Sequence, residues 1–129
     1  MRVLFVDDEP NVLDSIRRQL RKSVDIHTAA SGDDALRLLK ELGPVALVVS
    51  DMRMPGMTGA ELLARVRDLY PDTVRMILSG QADLESTISA VNEGHIFRFL
   101  TKPCGEDSLR NAVAAGIEQY GLVTTRKEL

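Results

Sequence analysis

Short runs of apolar, mostly β-branched residues alternate with longer stretches whose apolar positions recur every three or four residues. The short runs have the length and composition of buried strands, and the longer stretches have the period of amphipathic helices. The predicted strands cover residues 2–6, 24–30, 45–50, 73–78 and 96–100. The predicted helices carry their apolar stripes within residues 12–20, 35–42, 62–69, 84–91 and 109–117.

Helix start and stop signals fall between these runs. Pro10 stands at a first helical position behind acidic residues, and Ser31 and Thr58 stand where N-caps are expected. Gly43, followed by proline, is a typical helix end. The last two helices are predicted at about residues 83–94 and 106–120.

Strand and helix alternate five times, which predicts an α/β fold with a parallel sheet, helices on both faces and right-handed connections. Two strand orders are common in such doubly wound sheets, the Rossmann order and the flavodoxin-like order 2-1-3-4-5. Five units in 129 residues favour the flavodoxin-like (βα)5 fold. We expect one domain over residues 1–121, and we interpret residues 122–129 as the start of a linker or a C-terminal tail.

Composition limits the partners and the location of the protein. The net charge of −3 provides no basic surplus for direct binding of nucleic acid. No apolar run reaches the length of a membrane span. The single cysteine, Cys104, excludes an internal disulfide and fits a reducing compartment. We therefore expect a cytoplasmic protein that binds neither nucleic acid nor a membrane.

Polar side chains stand where four of the predicted strands end. Because the carboxyl ends of parallel strands lie on one edge of the sheet, where such folds bind ligands, these side chains are expected to share a crevice. They are Asp7 and Asp8 after the first strand, Asp51 after the third, Ser79 after the fourth and Lys102 after the fifth.

This set of side chains predicts phosphoryl chemistry on a carboxylate. Clustered acids hold a hard divalent cation, and few carboxylates combined with waters favour Mg²⁺. Lys102 supplies a point charge for one phosphoryl oxygen, and Ser79 can donate a hydrogen bond to another. Asp51 is then the nucleophile that becomes an aspartyl phosphate.

Four segments resemble the receiver domains of two-component response regulators. The combination spans nearly the whole chain and is specific, although each segment alone would be a weak signal. The segments are Val-Asp-Asp-Glu-Pro at 6–10, Val-Val-Ser-Asp-Met-Arg-Met-Pro-Gly-Met-Thr-Gly at 48–59, Leu-Ser-Gly at 78–80 and Phe-Leu-Thr-Lys-Pro at 99–103. The resemblance implies a phosphorelay switch that accepts a phosphoryl group from a sensor histidine kinase or a histidine phosphotransfer protein.

The resemblance also implies a role for each site residue. It makes Asp51 the phosphoacceptor and, with Asp8 and the backbone carbonyl of Arg53, a direct Mg²⁺ ligand. Asp7 would act on the ion through water. Lys102 would bind the phosphoryl group.

A second implied feature is a switch formed by Ser79, the switch hydroxyl, and Phe99, the switch aromatic. Their movement would reshape the face made by the fourth helix, fifth strand and fifth helix (α4-β5-α5), which could also support a homodimer. Because Phe99 alternates with Phe97, an ordinary core position is the competing interpretation. Arg98 between them is most simply a solvated edge charge.

The four segments do not identify the domain or partner that the switch would control. Residues 81–103 resemble receivers attached to HD-GYP cyclic-di-GMP phosphodiesterases or to sensor-kinase modules, so a C-terminal output domain such as HD-GYP is one expectation. The chain itself is not expected to be an enzyme, because it would assist only its own phosphorylation and dephosphorylation.

Three other functions stay open at this point. A receiver-like interaction module that is never phosphorylated would keep the fold without the chemistry. An aspartate-nucleophile phosphatase of the haloacid dehalogenase kind also uses Asp, Lys and Mg²⁺, but Arg53 stands where its second Asp is usual. A Rossmann-type nucleotide binder lacks its glycine-rich loop here.

Overall fold

The computed structural model describes residues 1–80, 85, 88, 96–102 and 104–128. These residues form a parallel five-stranded sheet with helices packed on it. The strands are β1 (Arg2–Val6), β2 (Asp25–Ala29), β3 (Leu47–Asp51), β4 (Val74–Ser79) and β5 (Arg98–Thr101). The described helices are α1 (Pro10–Leu20), α2 (Gly32–Leu42), α3 (Gly59–Leu69) and a C-terminal helix (Glu106–Glu128).

The sheet order is β2-β1-β3-β4-β5, and every neighbouring pair of strands is parallel. This order confirms the predicted flavodoxin-like fold. The bounds of β1 match the prediction, and those of the other strands differ by one or two residues, because ladder hydrogen bonds, rather than apolar character, decide where a strand ends.

Every residue of β3 is buried, as its unbroken apolar run predicts for a central parallel strand. Alternate residues point to opposite layers. Val48 joins the core formed with α2 and α3, whereas Leu47 and Val49 join the core formed with α1 and the C-terminal helix. The helices therefore cover both faces of the sheet, and the polar residues at or just after the carboxyl ends of β1, β3 and β4 lie at its rim.

The helix boundaries follow the sequence signals. The Ser31 hydroxyl accepts a hydrogen bond from the backbone N–H of Asp34 at 3.1 Å. Gly43 ends α2 with φ +77°, a conformation that side chains other than glycine rarely adopt. Thr58 and Glu61 form a complete capping box at the start of α3.

Replacing Thr58 with alanine is expected to lower the free energy of unfolding by about 1 kcal/mol, because the N–H groups of the first α3 turn lose their acceptor. Urea denaturation measures the loss. Thr58→Ser keeps the hydroxyl and serves as the control, so equal stabilities for the serine and alanine variants would contradict the capping role.

The C-terminal helix is longer than predicted, since it continues to Glu128 rather than ending near residue 120. Gly121 costs a helix about 1 kcal/mol relative to alanine, but no proline follows it to stop the helix. The Thr124 hydroxyl donates to the carbonyl of Tyr120 at 2.9 Å and leaves this turn intact. Residues 122–128 are thus helical, and their assignment to a linker stays a prediction.

The fifth strand forms one edge of the sheet, and one exposed aromatic side chain lies on it and another just before it. Phe97 is 43% exposed and Phe99 is 39% exposed, so the interpretation of Phe99 as an ordinary core residue is wrong. Arg98 is exposed, as expected for an edge charge. Of the fourth predicted helix, Glu85 and Ile88 are helical and its other residues lie outside the described part.

Within the described ranges, no helix has both the length and the apolar character that crossing a membrane would require.

Candidate functional site

The parallel register brings the predicted site residues to one edge of the sheet. Asp7 follows the last residue of β1, Asp51 is the last residue of β3, and Ser79 is the last residue of β4. Lys102 follows β5, and its backbone N–H donates to the carbonyl of Ser79 at 2.9 Å. The strand ends are therefore adjacent, as the topology rule for these folds predicts.

Three carboxylates converge at this edge. One oxygen from each of Asp7, Asp8 and Asp51 lies within 4.8 Å of the other two. Asp7 and Asp51 are buried, with 1% and 7% exposed, whereas Asp8 is exposed and opens the cluster to solvent. Asp7 is also fixed by the backbone N–H of Glu9, which donates to its Oδ1 at 2.9 Å.

Lys102 supplies the positive charge of the cluster. Its Nζ lies 2.9 Å from Asp51 Oδ1 and 3.4 Å from Asp7 Oδ2. One ammonium facing three carboxylates leaves a surplus of negative charge, so the edge is poised to take up a cation.

The pKa values of Asp51 and Lys102 are shifted by burial and by the neighbouring charges. Burial raises the pKa of the Asp51 carboxyl above its ordinary value, and the charges of Asp7 and Asp8 act in the same direction against the attraction of Lys102. Burial alone would lower the pKa of Lys102. The hydrogen bond and charge of Asp51, together with Asp7, outweigh this and raise it, so the ammonium stays protonated at neutral pH.

Ser79 and Phe99 stand beside the carboxylates on neighbouring strands. Ser79 is buried and pairs with Thr101 in the ladder, and its hydroxyl donates to the carbonyl of Gly80 at 3.0 Å. Phe99 pairs with Ile77, two residues before Ser79. Since side chains alternate along strands, the hydroxyl and the aromatic ring belong to the same face of the sheet.

The loop after Asp51 is held by buried methionines. Met52 and Met54 are 4% and 7% exposed and pack into the core shared with α2 and α3. Arg53, between them, is exposed. The methionines therefore act in packing, as expected for thioethers beside a site of hard oxygen ligands.

Comparison with known proteins identifies the family of this chain. Residues 3–114 match the model of the response regulator receiver domain. The chain belongs to this family. Receiver domains are the phosphoacceptor switches of two-component systems, and they are signalling modules that accept phosphoryl groups from kinases.

Relatives of this receiver domain occur in several kinds of protein. It is 41% identical over 120 residues to the hydrogenase transcriptional regulatory protein HoxA of Cupriavidus necator, covering 93% of this chain and 25% of HoxA. It is 35% identical over 119 residues to the sensor kinase CckA of Brucella abortus, covering 91% of this chain and 12% of CckA. The chain thus spans about a quarter or less of these two relatives.

Solved structures agree with the fold of this receiver domain. The structure described as adenylate cyclase from Rhodopirellula baltica has a TM-score of 0.96 at 42% identity, covering 98% of this chain and 94% of that one. The receiver of an HD domain-containing protein from Pseudomonas fluorescens Pf-5 has a TM-score of 0.88 at 34% identity, covering 99% and 93%. Receivers of HD-domain proteins and sensor kinases, which the sequence resemblance named, are thus among the similar proteins.

The acidic edge of this receiver domain fits the Mg²⁺ that the family binds. The three carboxylates supply hard oxygen donors close enough to face one ion, and no histidine or cysteine belongs to the described cluster. Asp8 is exposed, so a hydrated ion can approach from solvent. The donor chemistry therefore fits Mg²⁺ better than a soft metal.

We expect Asp51→Asn to raise the melting temperature of the Mg²⁺-free receiver domain at pH 7 by about 2–5 °C. The raised pKa of the Asp51 carboxyl means that the folded wild-type protein binds a proton at this group more tightly than the unfolded chain does. The stability tied to this group is present below its ordinary pKa and is lost as pH rises through the raised value.

Melting curves of both proteins in chelator, from pH 3 to pH 8, test this linkage. The difference between them should close below about pH 4, where Asp51 is protonated in both states. A lower melting temperature for Asp51→Asn at pH 7 would mean that the lost contact with Lys102 outweighs burial and repulsion.

Two residues that contact the backbone of Asp51 were not predicted from the sequence. Ser50 is fully buried, and its hydroxyl donates to the Asp51 carbonyl at 2.9 Å. Gly59 lies so near that a Cβ built on it would be 2.1 Å from the same carbonyl oxygen. A polar residue inside an apolar run was the available signal for Ser50, whereas only the structure reveals the approach of Gly59.

Proposed function

We propose that Asp51 is the phosphoacceptor of this receiver domain, that Lys102 binds the phosphoryl group, and that Ser79 and Phe99 are the switch hydroxyl and the switch aromatic that respond to it. One observation carries the proposal: Lys102 Nζ contacts Asp51 Oδ1 at 2.9 Å beside two further carboxylates at the carboxyl edge of the sheet. A lysine and a nucleophilic carboxylate held together in this way are suited to phosphoryl transfer.

In the reaction, a carboxylate oxygen of Asp51 forms a bond to phosphorus while the P–N bond of a phosphohistidine donor breaks. The imidazole of the donor keeps the electron pair of that bond and takes up a proton. Lys102 places its ammonium against the negative charge that spreads over the phosphoryl oxygens. Because it already contacts Asp51, little reorganisation is needed.

Asp7, Asp8 and Asp51 would hold the Mg²⁺, with the backbone carbonyl of Arg53 as a further ligand. When bound, the ion neutralises charge on the phosphoryl oxygens and on the acidic cluster. Asp7 is buried and already receives a hydrogen bond from Glu9, which suits it to an indirect role through water. Asp8 is exposed and suits direct contact.

Ser79 and Phe99 form the switch in this proposal. A phosphoryl group on Asp51 offers strong acceptors, and the Ser79 hydroxyl would exchange its bond with the Gly80 carbonyl for one with a phosphoryl oxygen. The half-exposed ring of Phe99 would turn inward on the same face of the sheet. This would change the surface that includes β5 and the C-terminal helix.

The biological context is proposed on the same basis. The donor would be a sensor histidine kinase or a histidine phosphotransfer protein in the cytoplasm. The partner controlled by the switch would be an output domain such as HD-GYP, or a second receiver copy bound through the α4-β5-α5 face. Enzyme activity would belong to that output, because this chain turns over no external metabolite.

Binding of beryllofluoride, which mimics the phosphoryl group, tests the proposal without a kinase. With Mg²⁺ and beryllofluoride at about 100 times the dissociation constant, the folded state should gain about 2.7 kcal/mol and melt higher. Asp51→Asn and a sample without Mg²⁺ should show no such gain. A wild-type protein that is not stabilised would support the unphosphorylated interaction module instead.

A further inference from the structure

The peptide group between Asp51 and Met52 is held at both of its polar atoms. The Ser50 hydroxyl donates to the Asp51 carbonyl oxygen at 2.9 Å. The Met52 backbone N–H donates to the carbonyl of Leu78 in the neighbouring strand at 3.1 Å. Rotation of this peptide would break both hydrogen bonds, so the chain leaves the end of β3 in one direction.

Gly59 closes on the same peptide from the side of α3. A Cβ at this position would lie 2.1 Å from the Asp51 carbonyl oxygen and 3.0 Å from Met52 Cα, well inside contact distance. The Gly59 N–H also donates to the carbonyl of Met52 at 2.9 Å. The start of α3 can therefore rest on the end of β3 only because residue 59 has no side chain.

Ser50 is an unusual choice for its position. It is 0% exposed in the most buried strand, between the apolar Val49 and the site residue Asp51. Burying a hydroxyl costs stability unless it is hydrogen-bonded, and an apolar residue of similar size would avoid the cost. The Ser50 hydroxyl donates to the backbone carbonyl of Asp51, the residue whose carboxylate faces Lys102.

We propose that Ser50 and Gly59 are positioning residues that clamp the Asp51–Met52 peptide and so aim the Asp51 carboxylate at Lys102 and the acidic pair. The inference rests on the proposed phosphoacceptor role of Asp51. Neither residue touches the phosphoryl group. They act through the backbone that carries Asp51 and leads into the Arg53 carbonyl.

The clamp controls distances that phosphoryl transfer depends on. The carboxylate of Asp51 belongs to the last residue of β3, and the Met52 N–H that follows it donates to the Leu78 carbonyl of β4. A misplacement of about 1 Å at such a centre can lower a rate by about 100-fold. A released peptide would turn the carboxylate away from Lys102 and separate its oxygen from those of Asp7 and Asp8.

Two substitutions test the clamp, each with a matched control far from the site. Ser50→Ala is compared with Thr73→Val, which removes a buried hydroxyl that donates to the Val45 carbonyl at 2.7 Å beyond the opposite end of β3. Gly59→Ala is compared with Gly116→Ala, whose Cβ would meet the tips of core side chains at 3.0 Å. Ser50→Thr restores the hydroxyl.

Three quantities are measured for each protein: stability by urea denaturation, Mg²⁺ affinity by calorimetry, and the rate of phosphorylation by acetyl phosphate per folded molecule. We expect both site variants to lose about 10- to 100-fold in rate, with weaker Mg²⁺ binding. The controls should lose stability but keep both properties, and Ser50→Thr should recover most of the rate of Ser50→Ala.

The inference is overturned if site variants and controls have the same rate per folded molecule and the same Mg²⁺ affinity. Should Gly59→Ala fail to fold, the Ser50 series decides alone. A folded wild-type protein that takes no phosphoryl group and does not bind beryllofluoride would refute the proposed function instead. The Mg²⁺ affinities of Ser50→Ala and Thr73→Val would then still support the clamp if they differ and overturn it if they agree.

Discussion

Lys102→Ala is expected to lower the rate of phosphorylation by acetyl phosphate by about 100- to 1,000-fold, the usual cost of removing one group that stabilises developing charge. The Lys102 ammonium contacts the nucleophile at 2.9 Å, and burial of the site strengthens its field. The substitution removes the positive side-chain charge of the described cluster and leaves three carboxylates facing the incoming phosphoryl group.

The rate is measured by intact mass spectrometry at saturating Mg²⁺. Lys40→Ala is the matched control, because Lys40 is exposed in the last turn of α2 and should leave the rate unchanged. Lys102→Arg should recover only part of the rate, because a planar guanidinium does not reproduce a compact ammonium. A rate for Lys102→Ala within a factor of about three of wild type would contradict the role assigned to this lysine.

Asp8→Asn is expected to weaken Mg²⁺ binding by about 100-fold, equivalent to about 2.7 kcal/mol. Asp8 is the exposed member of the carboxylate cluster, so a hydrated ion meets it first. Removing its charge reduces both the attraction for the cation and the number of strong ligands. Calorimetric titration with Mg²⁺ measures the change directly.

The same substitution should raise the melting temperature in chelator, because one of three mutually repelling carboxylates is neutralised. A substitution that weakens Mg²⁺ binding but raises the melting temperature in chelator marks a metal ligand. A substitution at a residue needed for folding would lower the melting temperature. Asp14→Asn, on the exposed side of α1, is the control and should leave Mg²⁺ affinity unchanged. Unaltered Mg²⁺ affinity in Asp8→Asn would remove Asp8 from the proposed ligand set.

The sequence was sufficient to predict the sheet order and the convergence of the site. The apolar run that ends in Asp51 predicted a strand buried on both faces, and parallel strands place their carboxyl ends together. Asp51 and Lys102 are far apart in sequence, yet the topology alone predicts that they meet. The observed contact at 2.9 Å bears this out.

Details set by tertiary packing were not predictable in this way. The strand pattern did not predict which of Asp7 and Asp8 is buried, whereas the structure buries Asp7 and exposes Asp8. Alternation allowed Phe99 to be core, but β5 lies at the sheet edge and leaves the ring 39% exposed. The approach of Gly59 to the Asp51 carbonyl depends on how α3 lies against β3, which no local pattern encodes.

The most direct test of the account is intact mass spectrometry of the wild type and Asp51→Asn after incubation with Mg²⁺ and acetyl phosphate. We expect one added phosphoryl group on the wild type, no adduct when Mg²⁺ is chelated, and none on Asp51→Asn. An adduct of the same size on folded Asp51→Asn, or a folded wild type that takes up no phosphoryl group and does not bind beryllofluoride, would contradict it.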